Sequence, residues 1–298
     1  MHRLAAAAPA AALLVVTAVW GSTFIVLKDT LNYVAATDFL AVRFTLAALI
    51  MVCATAPRLR QLSGGQWGRG VLLGAVYGLA QILQTVGLKT TDAAVSGFIT
   101  GMYVVLTPLL LFLIARTPMS RTALTASVMA LVGLGVLSLR GFAFSGGAAI
   151  TFGGSLVYAL HIVLLGALSR DQDAAALTAT HVIGIAGICS LSALPGGVAI
   201  PSTARVWGPL LYMVLASGIA TMFLQTWAQA RMSSTRAAVI MTCEPVFAAL
   251  FATIIGHEPV TPRLVLGGSL IVGAMLMAEL GARQVRRSEE RRVGKECR

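Results

Sequence analysis

Ten apolar segments, most of them close to the roughly 20 residues that a bilayer-crossing helix needs, divide this chain between Pro9 and Leu280. They run Pro9 to Leu27, Phe39 to Ala56, Trp67 to Leu88, Ala93 to Ala115, Leu124 to Leu139, Ala148 to Leu168, Ala174 to Leu194, Val206 to Ala228, Ala237 to Ile255 and Leu264 to Leu280. Inside hydrocarbon, backbone polar groups find partners only within a helix or a closed barrel, and runs of this length read as helices. The expected fold is an all-α membrane protein of ten transmembrane helices. Composition closes the soluble alternative. With 57% hydrophobic and 11% charged residues, the chain has too few polar side chains to cover a water-exposed surface.

The net charge of +11 does not mark a nucleic-acid site, because the basic residues sit in short clusters between apolar runs and not along one face. They read instead as topology signals. With ten spans, both termini lie on one side, together with Arg3, Arg58, Arg60, Arg69, Arg116, Arg121, Arg170, Arg231, Arg236, Arg283 and Arg286. The other side keeps Lys28, Lys89, Arg140, Arg205 and Arg263, so the termini are expected in the cytoplasm. The first run reaches Leu27 with no small-residue cleavage site after it and reads as a retained span, not a signal peptide. Cys53, Cys189, Cys243 and Cys297 are isolated from one another, with no metal or redox spacing, so neither metal nor cofactor is expected.

Three short matches recur in the same order about half a chain apart. Gly78-Leu79-Ala80-Gln81-Ile82-Leu83-Gln84-Thr85 resembles Gly218-Ile219-Ala220-Thr221-Met222-Phe223-Leu224-Gln225-Thr226, with one residue inserted in the second copy. Thr91 to Val95 resembles Thr235 to Val239, and Pro118-Met119-Ser120 resembles Pro259-Val260-Thr261. Two copies of five spans must be inverted relative to each other, because five is odd. Inverted repeats of this kind are a transporter architecture with the substrate site at the repeat interface. The expected units are residues 1–141 and 142–286. A tail follows at 287–298, where Arg287 to Cys297 looks like a translated sequencing adapter and reads as non-native or disordered.

Polar residues within the spans mark the candidate site. Glu244 and Pro245 interrupt the ninth span, where a carboxylate near mid-membrane costs about 2.5 to 3.5 kcal/mol and a proline removes one backbone donor. Glu244 reads either as a cavity carboxylate that binds an amine or a proton, or as a protonated group pairing the carbonyls that Pro245 frees. Tyr77, Gln81 and Gln84 share one face of the third span, and Ser217, Thr221 and Gln225 form a similar stripe in the eighth. These stripes line a cavity or make interhelical hydrogen bonds. Gly70, Gly74 and Gly78 mark an adjoining face for close packing. Tyr158 and His161 share a face of the sixth span, and His161 reads as a titrating cavity group or as a packed one, as does His181 in the seventh. Trp20, Tyr103 and Trp227 are candidate apolar walls. Arg43 reads first as a residue snorkelling to the interface, and Pro108 and Pro245 as paired helix bends suited to gating.

Trp20-Gly21-Ser22-Thr23-Phe24, Arg43-Phe44, Glu244-Pro245-Val246-Phe247-Ala248-Ala249 and Gly256-His257-Glu258-Pro259 together resemble the EamA-type branch of the drug/metabolite transporter superfamily, with the likeness extending to Arg286. The resemblance implies two inverted five-helix repeats around a central cavity reached alternately from either side. It also implies export of small metabolites, amino acids or related amphiphilic compounds, across a bacterial inner membrane. His257 stands between Gly256 and Glu258 where many relatives have glycine directly before glutamate, which weakens the expectation of a specific role for Glu258. The fourth span has Thr107-Pro108 and no acid, so the halves are not chemically equivalent. The expected partners are a small-molecule substrate and the lipid bilayer, with no nucleic acid. Proton coupling through Glu244 and His161 is the accompanying expectation. A scaffold, a channel and a membrane-embedded enzyme are the competing readings. A scaffold leaves the polar stripes unexplained, a channel lacks a filter-like segment, and an enzyme lacks any nucleophile elbow, phosphate loop or metal motif.

Overall fold

Helices account for nearly all of the regular structure in the computed structural model, which describes residues 2–115, 121–140, 143–168, 173–229, 240–241 and 243–277. In chain order they are α1 His2–Thr30, α2 Ala36–Leu59, α3 Gly64–Leu88, α4 Ala93–Gly101, α5 Tyr103–Ala115 and α6 Arg121–Ser138. Next come α7 Gly146–Leu168, α8 Ala174–Ala193, α9 Ala204–Val214, a π-helical turn Leu215–Ala220, α10 Thr221–Gln229 and α11 Glu244–Ile254. The last described helix, α12, is Pro262–Met277. Between α6 and α7 the backbone forms a two-residue antiparallel pair, Leu139–Arg140 with Ala143–Phe144.

Seven stretches among the described residues are long and apolar enough to cross a membrane. Two of them are composite: Ala93–Ile114 joins α4 to α5, and Ala204–Gln225 joins α9 to α10 through the π-helical turn. Three further apolar helices are shorter: Leu124–Val136, Glu244–Ile254 and Pro262–Met277. These fall where the fifth, ninth and tenth spans were expected. Residues 230–239 of the approach to the ninth span, and the tail 287–298, lie outside the described residues. Large apolar side chains cover the outer surface, with Leu113 70% and Phe223 68% exposed. Such a surface is stable only against lipid, so the chain is a multi-pass membrane protein.

The expected helix bends take a different form. The fourth span breaks at Met102, whose N–H bonds Ile99 and whose carbonyl accepts from both Val105 and Leu106, and not at Pro108. Pro108 lies farther along α5, and its side chain is outside the described residues. Pro245 sits in the first turn of α11, where the missing N–H has no intrahelical partner to lose. It therefore begins a helix instead of kinking one. Pro245 also packs on the first break: a Cβ built on Gly101 would lie 3.2 Å from its Cγ.

The glycine face of α3 packs as expected. A Cβ on Gly74 would lie 2.7 Å from the Gly184 Cα and 2.8 Å from the Ile185 nitrogen, so only glycine permits this approach to α8. Gly70 meets Thr180, and Gly78 meets Ile188, on the same helix. The π-helical turn ends just before Thr221–Phe223, the stretch in which the eighth span carries one more residue than the third. By widening a single turn, a helix absorbs one extra residue without rotating the side chains beyond it, and such turns recur at functional sites.

Candidate functional site

A cavity of about 400 Å³ lies between the two halves of the chain, with walls from α1, α2, α3, the α4/α5 junction, α7, α8, the eighth span and the start of α11. Nine expected site residues line it: Trp20, Tyr77, Gln81, Gln84, Tyr103, Tyr158, His161, Gln225 and Glu244. Thr221 stands directly behind the wall. The Trp20 indole N–H donates to both the Thr221 hydroxyl (3.0 Å) and the Ser217 carbonyl (3.1 Å). The widened turn makes this possible, because the Thr221 N–H reaches back to the Ala216 carbonyl, five residues before it. Trp227 does not line the cavity; it packs beside Leu13 and Ala228 in a separate small cluster.

Hydrogen bonds and rings fix the polar wall. Tyr158 donates to Gln84 Oε1 at 2.7 Å, Gln81 Nε2 donates to the Tyr77 hydroxyl at 3.3 Å, and Tyr103 donates to Glu244 Oε2 at 3.3 Å. The Tyr77 ring stands edge-on to Tyr158 (5.2 Å between centroids), His161 (5.1 Å) and His181 (5.4 Å). His161 and His181 stack at 4.9 Å, and the Nε2 atom of each is buried without a hydrogen-bond partner. The histidines thus present polar edges in an aromatic wall. Glu244 is buried and lines the cavity, where its carboxylate accepts from Tyr103.

Sequence reasoning missed Arg43 as a cavity residue. The expectation that it snorkels to the interface is not met: it is 5% exposed, and its guanidinium lines the cavity 4.7 Å from the Phe44 ring centroid. A snorkelling residue needs an open path to its helix end, and buried Phe39 and Leu40 occupy the turn below it. The signal in the sequence was the register of Arg43 with those buried residues. Ser217 lines the cavity as its stripe predicts, and Thr100 and Met213 line it as well. The short or apolar side chains of Thr100 and Met213 offered nothing to separate them from packing residues.

The two ends of the cavity differ. Toward one end its lining continues through Leu165, Leu177, Thr178, Gln225 and Met241. At the other end Leu27, Leu31, Phe39, Leu40 and Leu88 pack together. Beyond them Glu258 joins the two halves. Its carboxylate accepts from the backbone N–H of Ala93 (2.8 Å) and Ala94 (3.1 Å), capping α4 from across the molecule, where Asp92 makes no cap of its own. A carboxylate at a helix N-terminus pairs both orphan donors and the positive end of the dipole. His257 does not prevent this contact. It adopts φ 50°, the left-handed turn that its place after α11 requires, and the Glu258 N–H bonds back to Ala252. Lys28 reinforces the seal, reaching the Thr91 carbonyl and Asp92 at 3.7 Å.

Among the described residues no group of three or more His, Cys, Asp or Glu is placed to hold a metal ion. A sequence profile of the EamA-like transporter family matches the chain twice, over residues 8–139 and 145–279. The matches meet at the short strand pair. An uncharacterized transporter of Archaeoglobus fulgidus is 30% identical over 269 residues, covering 90% of this chain and 84% of its own length. The uncharacterized transporter YyaM of Bacillus subtilis is 24% identical over 281 residues, covering 87% and 89%. A solved crystal structure, 18% identical, superposes with a TM-score of 0.65 over 92% of this chain and 98% of its own, which shows a shared fold.

Proposed function

We propose, from the premise that this chain belongs to the EamA-like transporter family and is a membrane transporter, that it exports small amphiphilic metabolites, amino acids among them, by alternating access. The observation that carries the proposal is a polar cavity between the halves, extended toward one end and sealed at the other by leucine and phenylalanine packing and the Glu258 cap. Alternating access requires such a seal to be breakable, and contacts between halves satisfy that better than contacts within one.

Two inverted repeats of five spans, divided near 141 and 142, are the architecture in which this seal would work. The double profile match supports it, as does the packing. α3 packs on α7 as α10 packs on α1, and α3 on α8 as α9 on α2. α1 packs on α11 as α7 packs on α4 and α5, each pair being the other with the halves exchanged. α2 with α8, and α4 with α11, are their own counterparts. Gly101 and Pro245 occupy equivalent positions when Thr91 is aligned with Thr235, and they face each other. In this reading α6, α11 and α12 are the remaining spans, and Pro108 and Pro245 flank the moving segments.

The two ends also support the proposed orientation in the inner membrane. Arg58 pairs with Asp173 at 3.6 Å at the end that holds most of the basic residues. Lys28, Lys89 and Arg205 lie at the other. The cavity would then be open toward the cytoplasm. We assign proton uptake to Glu244, with Tyr103 holding its carboxylate. The test is a metabolite profile of the medium from cells overproducing the protein, followed by uptake of the leading solute into proteoliposomes. Selective export and saturable uptake are expected. No exported solute and no uptake would refute transport of this kind.

A further inference from the structure

We infer that Arg43 is the receptor for an anionic group, a carboxylate, on the solute that occupies the central cavity. The inference rests on the reading of that cavity as the transport site.

A guanidinium keeps its proton under all physiological conditions and offers five N–H donors in a planar fork. At 5% exposure, Arg43 uses this capacity sparingly. Nη2 donates to the Ser217 hydroxyl at a long 3.4 Å, and Nε is buried with no partner among the described residues. The Phe44 ring faces the cation but accepts no directed hydrogen bond. The two ion pairs among the described residues, Lys28 with Asp92 and Arg58 with Asp173, are both at the ends of the bundle. Glu244 lines the same cavity and does not pair with Arg43.

An unpaired buried charge is costly, and it persists where an external partner completes it. The surroundings hold the cation in place for one. Ser217, its hydrogen-bond partner among the described residues, belongs to the π-helical turn and offers its carbonyl to Trp20. Arg43 thus sits on a fixed polar step in the cavity wall, where a carboxylate could take two of its N–H donors side by side. Glu244 stands apart in the same space, so the cavity also admits a cationic group on the same solute.

The test uses the full chain in lipid nanodiscs with acetate, 4-methylpentanoate and 3-phenylpropanoate, each beside its uncharged amide. Modification of Arg43 by phenylglyoxal is followed by mass spectrometry, and the melting temperature is followed in parallel. At least one carboxylate should slow modification about tenfold and raise the melting temperature, while its amide does neither. Arg43→Gln, shown to be folded by its own melting curve, should lose the response to the anion, and Arg43→Lys should keep part of it. Equal effects of acid and amide, stabilisation by the anion retained in Arg43→Gln, or no effect of any of the three acids would overturn the assignment. Uptake without any dependence on Arg43 would sink the anion site and leave transport standing. Anion binding without transport would do the reverse.

Discussion

Removing the Glu258 carboxylate should unlock one end of the bundle. Its two hydrogen bonds, 2.8 Å to Ala93 and 3.1 Å to Ala94, cross between the halves, so under the proposed alternating access they would break as that end opens. Bonds to a charged acceptor contribute about 1.5–3 kcal/mol each when buried, and those of a half-buried carboxylate are discounted by solvent. About 2 kcal/mol for the pair is a reasonable sum, equivalent to a roughly 30-fold shift toward the open arrangement. Glu258→Gln keeps one acceptor and should give an intermediate shift. The assay is the rate at which an impermeant maleimide, added from the Lys28 side, labels Leu27→Cys after Cys53, Cys189, Cys243 and Cys297 have been replaced by alanine. Leu27 is 5% exposed and belongs to the packed layer that lies beneath the Glu258 contact. Asp173→Ala removes a cap at the opposite end, where Asp173 Oδ1 accepts from Ala176 at 2.8 Å, and controls for general loss of helix stability. Faster labelling in Glu258→Ala and unchanged labelling in Asp173→Ala are expected. Equal rates in Glu258→Ala and the parent would refute the latch.

Gly74→Ala drives a methyl group against the Gly184 backbone, which cannot yield as a side chain tip would, so a loss of about 1–3 kcal/mol should appear as a lower melting temperature. Thr221→Val leaves the cavity lining intact but removes one of the two acceptors of the Trp20 indole. It should weaken apparent solute affinity in uptake assays while expression stays at the parental level. Glu244→Gln should transport without responding to an imposed proton gradient, and a parental response in that variant would remove Glu244 from coupling.

The spans and their approximate order were legible because apolar length is a local property of the chain. Lipid, as the solvent, rewards it residue by residue. Gly70, Gly74 and Gly78 could also be read correctly as a packing face, since their spacing alone puts them on one side of α3. Most cavity residues were legible for a related reason: Tyr77, Gln81, Gln84 and Gln225 are costly in lipid and must face inward. Trp227 carried no such constraint, because an aromatic ring is at home in a cavity wall or in packing, and it packs beside Leu13 and Ala228. Pro108 and Pro245 carried only half of their message. A proline shows that a helix hydrogen bond is missing, but not whether the helix bends there or begins there.

By itself, then, the sequence determined that the chain spans a membrane, that its halves echo each other, and which polar residues turn away from lipid. The repeat even showed one extra residue in the eighth span, just beyond the π-helical turn. Only the tertiary structure decided which inward-facing groups meet. Arg43 and Ser217, Tyr103 and Glu244, and Glu258 and the start of α4 are each separated by 141 residues or more. No local pattern connects them; their partnership depends on how close the helices approach, and close glycine contacts such as Gly21 on α11 and Gly74 on α8 set that distance. The same physics explains Arg43: a cation near the start of a helix looks able to reach the interface until the packed side chains beneath it close the way.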